Sequence, residues 1–206
     1  MSMSIRQTEI FFVKLLLLLL VLCTVPFPAF AIKPINVAVL PPINTATFRY
    51  LDDIQVIQNT IIKPFKYPYY SLLPADAVQK AAKTYLAEHK TSRLTDEKVM
   101  AELATNLSAD LVVVVELSQV WQDRVHTFGF DETYIESDIV LKCYAYSSLL
   151  NRIDMIKVVK YDRESESIDT NIDIIFKDLT AQMLVKLPYK RIPLAGFEKP
   201  DPLPSN

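Results

Sequence analysis

Glycine is scarce in this sequence, which has only Gly129 and Gly196 among its 206 residues. Loops that cradle phosphate groups and turns that bind dinucleotides need glycine, because the backbone must approach the phosphates closely. We therefore expect neither a nucleotide cofactor nor a nucleotide-dependent enzyme. The 13 prolines, rather than glycines, interrupt the helical and strand patterns.

Histidine and cysteine are also scarce, with two of each. Neither His89 nor His126 has a nucleophile and an orienting carboxylate at a recognisable spacing, so we expect both to be ordinary surface residues. Cys23 lies in the apolar N-terminal segment, which leaves Cys143 without a partner for an intrachain disulfide. Cys143 is predicted to point into the core, and no second ligand lies at a useful spacing, so no metal site is expected.

The chain has no excess of charge of either sign, with 22 basic and 24 acidic residues. This balance gives no electrostatic footprint for nucleic acid. One pair of carboxylates is notable, because the two-residue repeat of a strand would place Glu136 and Asp138 about 7 Å apart on one face. Carboxylates at such a separation can serve glycoside hydrolysis. A solvated strand face with Lys142 nearby explains the pair without catalysis, and we favour that interpretation.

The longest uninterrupted apolar run lies at the N-terminus. Arg6 and Lys14 precede residues 15–23, and the small residues Ala29 and Ala31 follow. This pattern is typical of a secretory signal, which we expect to be cleaved after Ala31. The run has nine residues, fewer than the about 20 that a bilayer-spanning helix needs. The chain is therefore predicted to be exported, periplasmic or extracellular, with no membrane span after cleavage.

A single domain is expected between the cleaved signal peptide, 1–31, and a proline-rich C-terminal tail, 188–206. Residues 32–187 are enough for one α/β domain with a proper core and too few for two domains of ordinary size. The tail has no hydrophobic periodicity, and we expect it to be a tether or an extended strap over the domain.

The stretch 111–121, LVVVVELSQVW, is predicted to be the central strand of a sheet, because consecutive valines favour a pleated and deeply buried conformation. Around it, apolar residues with a period of two predict strands, and spacings of three and four predict helices. The expected fold is α/β (α+β), a mixed sheet of about five strands with helices packed against it, in the order β-α-β-α-α-β-β-β-α. The predicted strands are 35–40, 69–73, 111–121, 132–146 and 154–162; the predicted helices are 51–65, 75–89, 95–107 and 168–187, with a turn at 123–131 and Ser167 as the cap of the last helix.

Aromatic residues provide the best candidate for a binding surface. Tyr134, Tyr144 and Tyr146 share the outward face of the predicted strand 132–146, and Trp121 ends the central strand. Exposed tyrosine and tryptophan are typical of binding surfaces, because they give a large contact area with little loss of side-chain freedom. If a helix covers this face, the same residues belong to the core instead.

Two short motifs resemble a group of bacterial envelope proteins. The first is VAVLPP at residues 37–42, with Asn44 and a helix soon after, and the second is Ser108, Ala109 and Asp110 followed by the valine-rich strand. In these motifs the chain resembles the periplasmic domain of the curli-export lipoprotein, the N-terminal domain of the Tol-associated β-propeller protein, and lipoproteins that activate peptidoglycan synthases. The resemblance implies binding and assembly roles without catalysis. It carries over no functional residue, because the matched positions are structural and the lipid-attachment motif is absent.

These observations predict an exported, non-enzymatic protein that binds a partner during assembly or scaffolding in a bacterial cell envelope. The partner is expected to be an envelope protein, a polymer or a second copy, and the possible binding surface comprises Trp121, Tyr134, Tyr144 and Tyr146. Two alternatives remain open. One is a secreted hydrolase that acts through the paired carboxylates, and the other is a structural subunit that associates with itself through its strand edges.

Overall fold

The structure is a computed structural model that describes residues 33–66, 69–127, 129 and 132–189. The expected signal peptide and the expected tail beyond Tyr189 lie outside the described residues, so both remain predictions. The strands are β1 (Ile35–Val39), β2 (Ile43–Asn44), β3 (Tyr70–Leu72), β4 (Leu111–Thr127), β5 (Glu132–Ser147) and β6 (Arg152–Ser165); the helices are α1 (Leu51–Ile61), α2 (Ala75–Glu88), α3 (Glu97–Leu107) and α4 (Ile172–Lys186).

The strands form one sheet in the order β3-β1-β4-β5-β6, with β2 also paired to β4. β1 runs parallel to β3 and to β4, whereas β4, β5 and β6 form an antiparallel meander. The predicted mixed sheet with helices against it is confirmed, and so is the central position of the strand that begins at Leu111. The strand β2 is not among the predicted strands. Its residues Ile43 and Asn44 pair with Glu116 and Leu117 of β4.

The Ser-Ala-Asp motif determines where the central strand begins. Ser108 follows α3 in the left-handed conformation, with a φ of 51°. The Ala109 amide then donates to the Ala104 carbonyl at 2.8 Å, which satisfies a carbonyl at the helix end. The Asp110 carboxylate accepts a hydrogen bond from the Asn36 amide at 2.8 Å. Because Asn36 belongs to β1, this contact joins the start of β4 to β1.

Helices pack on both sides of the sheet, so the domain has two hydrophobic cores. The first core lies under α1 and α4, where Leu141 and Phe176 are fully buried. The second core lies under α2 and α3, where Met100 is fully buried. Val112 belongs to the second core and Val113 to the first. A strand with a core on each side needs apolar residues at every position, which explains the run of valines.

Two predicted helix boundaries are wrong by four residues, and the helix predicted from Thr95 begins instead at Glu97, with Asp96 as its N-cap. α1 ends at Ile61 rather than at residue 65, although Phe65 is buried in the first core. Ser167 does not cap α4. It forms a capping box with Thr170 in a short 3-10 helix, and Asn171 is extended before α4 begins at Ile172. Apolar spacing located the buried face of this segment but could not show the break in the backbone.

The predicted turn at 123–131 is also wrong in its first part. β4 continues to Thr127 and pairs residue by residue with β5, as Asp123 does with Glu136. The polar residues that suggested a turn instead belong to a long antiparallel arm. β4, β5 and β6 are 17, 16 and 14 residues long, and the second core involves only the end of the meander that includes Val112 and Tyr146.

Candidate functional site

The outer part of the β4–β6 meander presents one face that no helix of the described ranges covers. Its exposed apolar side chains include Trp121 (48 % exposed), Val159 (46 %) and Tyr161 (84 %). Trp121 lies opposite Asp138, and Asp138 lies opposite Tyr161. Residues directly opposite each other point to the same side of a sheet. We call this surface the open face, and its members are Gln119, Trp121, Asp123, Val125, Tyr134, Glu136, Asp138, Val140, Lys142, Lys157, Val159, Tyr161 and Arg163.

A β-bulge turns Trp121 onto the open face. The register of β4 against β5 shifts between Leu117 and Gln119, which makes Ser118 the extra residue. Leu117 is buried in the first core, and strict alternation would send Trp121 to the same side. The extra residue reverses the alternation, so Val120 packs against the first core instead.

The four residues of the predicted binding surface all lie on the same side of the sheet, but their exposure differs. Trp121 is half exposed. Tyr134 is partly buried, with the Arg163 guanidinium 4.8 Å from its ring centroid. Tyr144 is partly buried against the second core. Tyr146 is only 5 % exposed and donates to the Asn151 side chain at 2.9 Å, so it is not accessible to a partner in this conformation.

Sequence reasoning overlooked the contribution of β6. Met155, Val159 and Tyr161 alternate along this strand and point to the open side, and each is more than 40 % exposed. The alternation is visible in the sequence. It does not reveal which side remains uncovered, because that depends on α4 packing against the other side of β6.

Charged residues mark the outer end of the open face. Asp123 of β4 lies directly opposite Glu136 of β5, and Asp138 lies two residues further along β5. Arg163 is the nearby cation, and its guanidinium lies 3.3 Å from the Glu136 carboxylate. Lys142 lies closer to the second core. Glu132 lies at the same end, where its carboxylate accepts a hydrogen bond from Tyr134 Oη. The outer end therefore has four carboxylates and one guanidinium on the side of the sheet that Trp121 faces.

A groove of about 670 Å³ borders the open face where the loop between α2 and α3 meets the sheet. Glu116 lines this groove and accepts hydrogen bonds from Thr45 Oγ1 at 2.9 Å and from Tyr144 Oη at 3.1 Å. The Lys142 ammonium lies 3.8 Å from the same carboxylate. Burial, reinforced by the Glu116 carboxylate, raises the pKa of Tyr144 to about 12. These polar groups satisfy one another, so they brace the sheet rather than point at a substrate.

The structure gives no support to the carboxylate-dependent hydrolase. Glu136 pairs with Arg163, and Asp138 accepts a hydrogen bond from the Gln119 amide. Both carboxylates lie on the open sheet face rather than in a concave pocket. The histidines lie elsewhere: His89 stacks on Tyr85 with 4.4 Å between ring centroids, and His126 contacts Thr133 at 3.3 Å.

The described residues contain neither a cluster of metal-ligating side chains nor a helix that could span a membrane. Among them, no group of three or more His, Cys, Asp or Glu side chains could hold a metal ion. Cys143 is fully buried, and burial raises the pKa of its thiol to about 12. Among the described helices, none has the length and apolar character needed to cross a membrane.

Comparison with known proteins identifies no family, because no family model and no curated protein matches the chain. Similar solved structures include lipoprotein GNA1162 from Neisseria meningitidis, which is 14% identical, with 73% of this chain and 98% of that chain covered and a TM-score of 0.43. The hypothetical protein CT253 from Chlamydia trachomatis is 15% identical, with 74% and 94% covered and a TM-score of 0.44. The PelC dodecamer from Paraburkholderia phytofirmans is 12% identical, with 74% and 86% covered and a TM-score of 0.40. At these TM-scores the likenesses carry no argument about function, and the resemblance to the curli-export and Tol-associated domains remains an expectation.

Proposed function

We propose that this chain is an exported, non-enzymatic protein of the bacterial cell envelope that binds a protein partner through the open face. The observation that carries the proposal is the exposure of Trp121, Val159 and Tyr161 on neighbouring strands of an uncovered sheet face. Aromatic residues of this kind are enriched at protein interfaces, because each buries a large area and has few rotatable bonds.

The charges of the open face restrict the partner's chemistry. Four carboxylates, those of Asp123, Glu132, Glu136 and Asp138, lie at the outer end of this face, and Arg163 neutralises only part of their charge. Lys142 and Lys157 lie on the same face farther from this end, so a complementary surface would have an apolar centre with lysine or arginine side chains opposite the outer end alone. A polymer of anionic groups would meet repulsion at this end, so we favour a protein surface over such a polymer.

The envelope location has separate support from the sequence. The first 31 residues have the basic, apolar and small-residue regions of a secretory signal. The VAVLPP motif at residues 37–42 resembles the opening of envelope domains that act in binding and assembly. Within the structure this motif supplies β1, which lies between β3 and β4.

Site-specific photocrosslinking in intact cells tests the proposal. A photoreactive amino acid would replace Tyr161 on the open face, and in a matched control it would replace Tyr69, which is 51 % exposed outside that face. We expect a reproducible crosslinked protein from position 161 alone, and we expect Trp121→Ala to abolish that crosslink. Equal crosslinking from both positions, or a crosslink that is insensitive to Trp121→Ala in a folded protein, would contradict the proposal.

A further inference from the structure

β6 is an edge strand with a free side. Within the described ranges its 14 residues pair only with β5, so the other side of its backbone presents a row of unpaired N–H and C=O groups. Proteins usually shorten or cover such edges, because an exposed edge can pair with another chain. This strand is long, and no described strand pairs with its free edge, although α4 packs against one of its faces.

A groove of about 370 Å³ runs directly beside this free edge, between β6 and α4. Its apolar lining comprises Val159 and Tyr161 of β6, which are exposed, and Ile175 and Leu179 of α4, which are nearly fully buried. Four carboxylates line the groove as well: one is that of Glu164, and the other three are those of Asp162, Asp169 and Asp178. Within the described part of the chain none of these three aspartates is in an ion pair. The cation lining the groove, Lys160, is already paired with Glu164 at 2.8 Å.

The geometry points to a docking site for an extended basic peptide segment of another protein, which we propose adds to the sheet as a strand along β6. Backbone pairing with the edge would provide affinity, and alternate side chains would enter the groove. A lysine or arginine there would extend its charge to Asp169 or Asp178. The groove adjoins the open face at the edge of β6, because Val159 and Tyr161 of that face also line it; the carboxylates of Asp169 and Asp178 belong to the groove alone.

A second copy of the chain fits this groove less well. In antiparallel pairing of two β6 strands, the side chains on the α4 side of the incoming strand would include the carboxylates of Asp154, Asp162 and Glu164 and the cations of Arg152 and Lys160, which are paired with Asp154 and Glu164 within their own chain. Those carboxylates would enter a groove that is already acidic. Charge complementarity therefore favours a basic segment from a different protein.

Peptide binding to the full chain tests this proposal. The probes are two fluorescein-labelled ten-residue peptides, one of alternating lysine and threonine and the other of alternating glutamate and threonine, measured by fluorescence polarisation. We expect saturable binding of the lysine peptide and none of the glutamate peptide. The double variant Asp169→Lys/Asp178→Lys should bind the lysine peptide at least tenfold more weakly. The matched control Asp76→Lys/Glu88→Lys changes the net charge equally on the exposed surface of α2 and should bind like the unmodified chain.

Backbone methylation distinguishes strand addition from general electrostatic attraction. A strand paired on one side directs the N–H groups of alternate residues to its neighbour. One lysine peptide would therefore carry N-methyl groups on every threonine, and another on every lysine. We expect one of these peptides to bind and the other to lose binding.

Several outcomes would overturn the proposal. These are no binding of the lysine peptide at 1 mM, equal loss in the control variant, or equal binding of both methylated peptides. Binding that appears only after Lys190→Glu/Arg191→Glu would assign the groove to the C-terminal segment of the same chain. A dimer that the lysine peptide dissociates would assign it to a second copy. None of these results involves Trp121, so they leave the proposed function of the open face to its own test.

Discussion

The contrast between Tyr161 and Tyr146 gives a quantitative prediction about the open face. The two tyrosines lie on the same side of the sheet, but Tyr161 is 84 % exposed and Tyr146 is 5 % exposed. We would replace each with threonine, because alanine would also lower strand propensity. If the open face is free in the folded chain, the first substitution should leave stability almost unchanged and the second should lower it strongly.

The expected sizes follow from the buried areas. A tyrosine side chain presents about 200 Å², and apolar burial contributes about 25 cal/mol per Å². Folding buries about a sixth of the Tyr161 side chain, so Tyr161→Thr should lower the free energy of unfolding by less than ~1 kcal/mol. Folding buries nearly all of the Tyr146 side chain, and its replacement would also remove the hydrogen bond to Asn151. Tyr146→Thr should therefore lower the free energy of unfolding by ~3–5 kcal/mol.

Urea unfolding, monitored by far-ultraviolet circular dichroism, measures both changes in the free energy of unfolding. The comparison is valid if the slope of that free energy against urea concentration is the same in the variants as in the unmodified chain. Both variants should retain the folded baseline in the absence of urea. A cost above ~2 kcal/mol for Tyr161→Thr would refute the reasoning, because it would mean that the Tyr161 ring is packed within a single chain and is not available to a partner.

Three further predictions concern the interior. Phe176→Ala should lower the free energy of unfolding by ~3–5 kcal/mol in the same urea experiment, because the ring is fully buried in the first core; a cost below ~1 kcal/mol would contradict that packing. The Cys143 thiol, fully buried with its pKa raised to about 12, should resist a thiol reagent at pH 8 and react after unfolding in urea. Its rapid labelling in the folded chain would count against the assigned burial. Folding raises the pKa of Tyr144 from 10.0 to about 12, so its contribution to stability should be complete below pH 10 and decline as the pH rises towards 12. Tyr144→Phe should reduce that alkaline loss, and an identical pH dependence in the variant would exclude Tyr144 as its source.

Much of the fold is predictable from local patterns. Pro41 and Pro42 end the first strand because proline cannot continue a ladder of hydrogen bonds. The alternation through Ile139, Leu141 and Cys143 identifies the buried side of β5 correctly, since all three belong to the first core. These features depend on residues close together in the sequence, so the tertiary structure is not needed to predict them.

The candidate site depends on features that local patterns do not contain. The bulge at Ser118 changes which side of the sheet Trp121 faces. A single extra residue cannot be recognised in the sequence of β4, because its alternation of apolar and polar residues is already irregular. Tyr134 and Tyr146 occupy equivalent positions in the repeat, yet only Tyr146 belongs to the second core. The difference arises because α2 and α3 pack over one end of the meander, which is a property of the whole chain.

Oxidative footprinting of side chains in intact cells tests the central claim most directly, because it detects a covered surface whatever the identity of the partner. Hydroxyl radicals would be generated in cells that contain the full chain and, separately, in a dilute solution of the purified protein. We predict that Trp121 and Tyr161 are oxidised in the purified protein and protected in cells, whereas Tyr69 is oxidised equally in both. Equal oxidation of all three residues in the two samples would mean that the open face has no partner, and it would contradict the account.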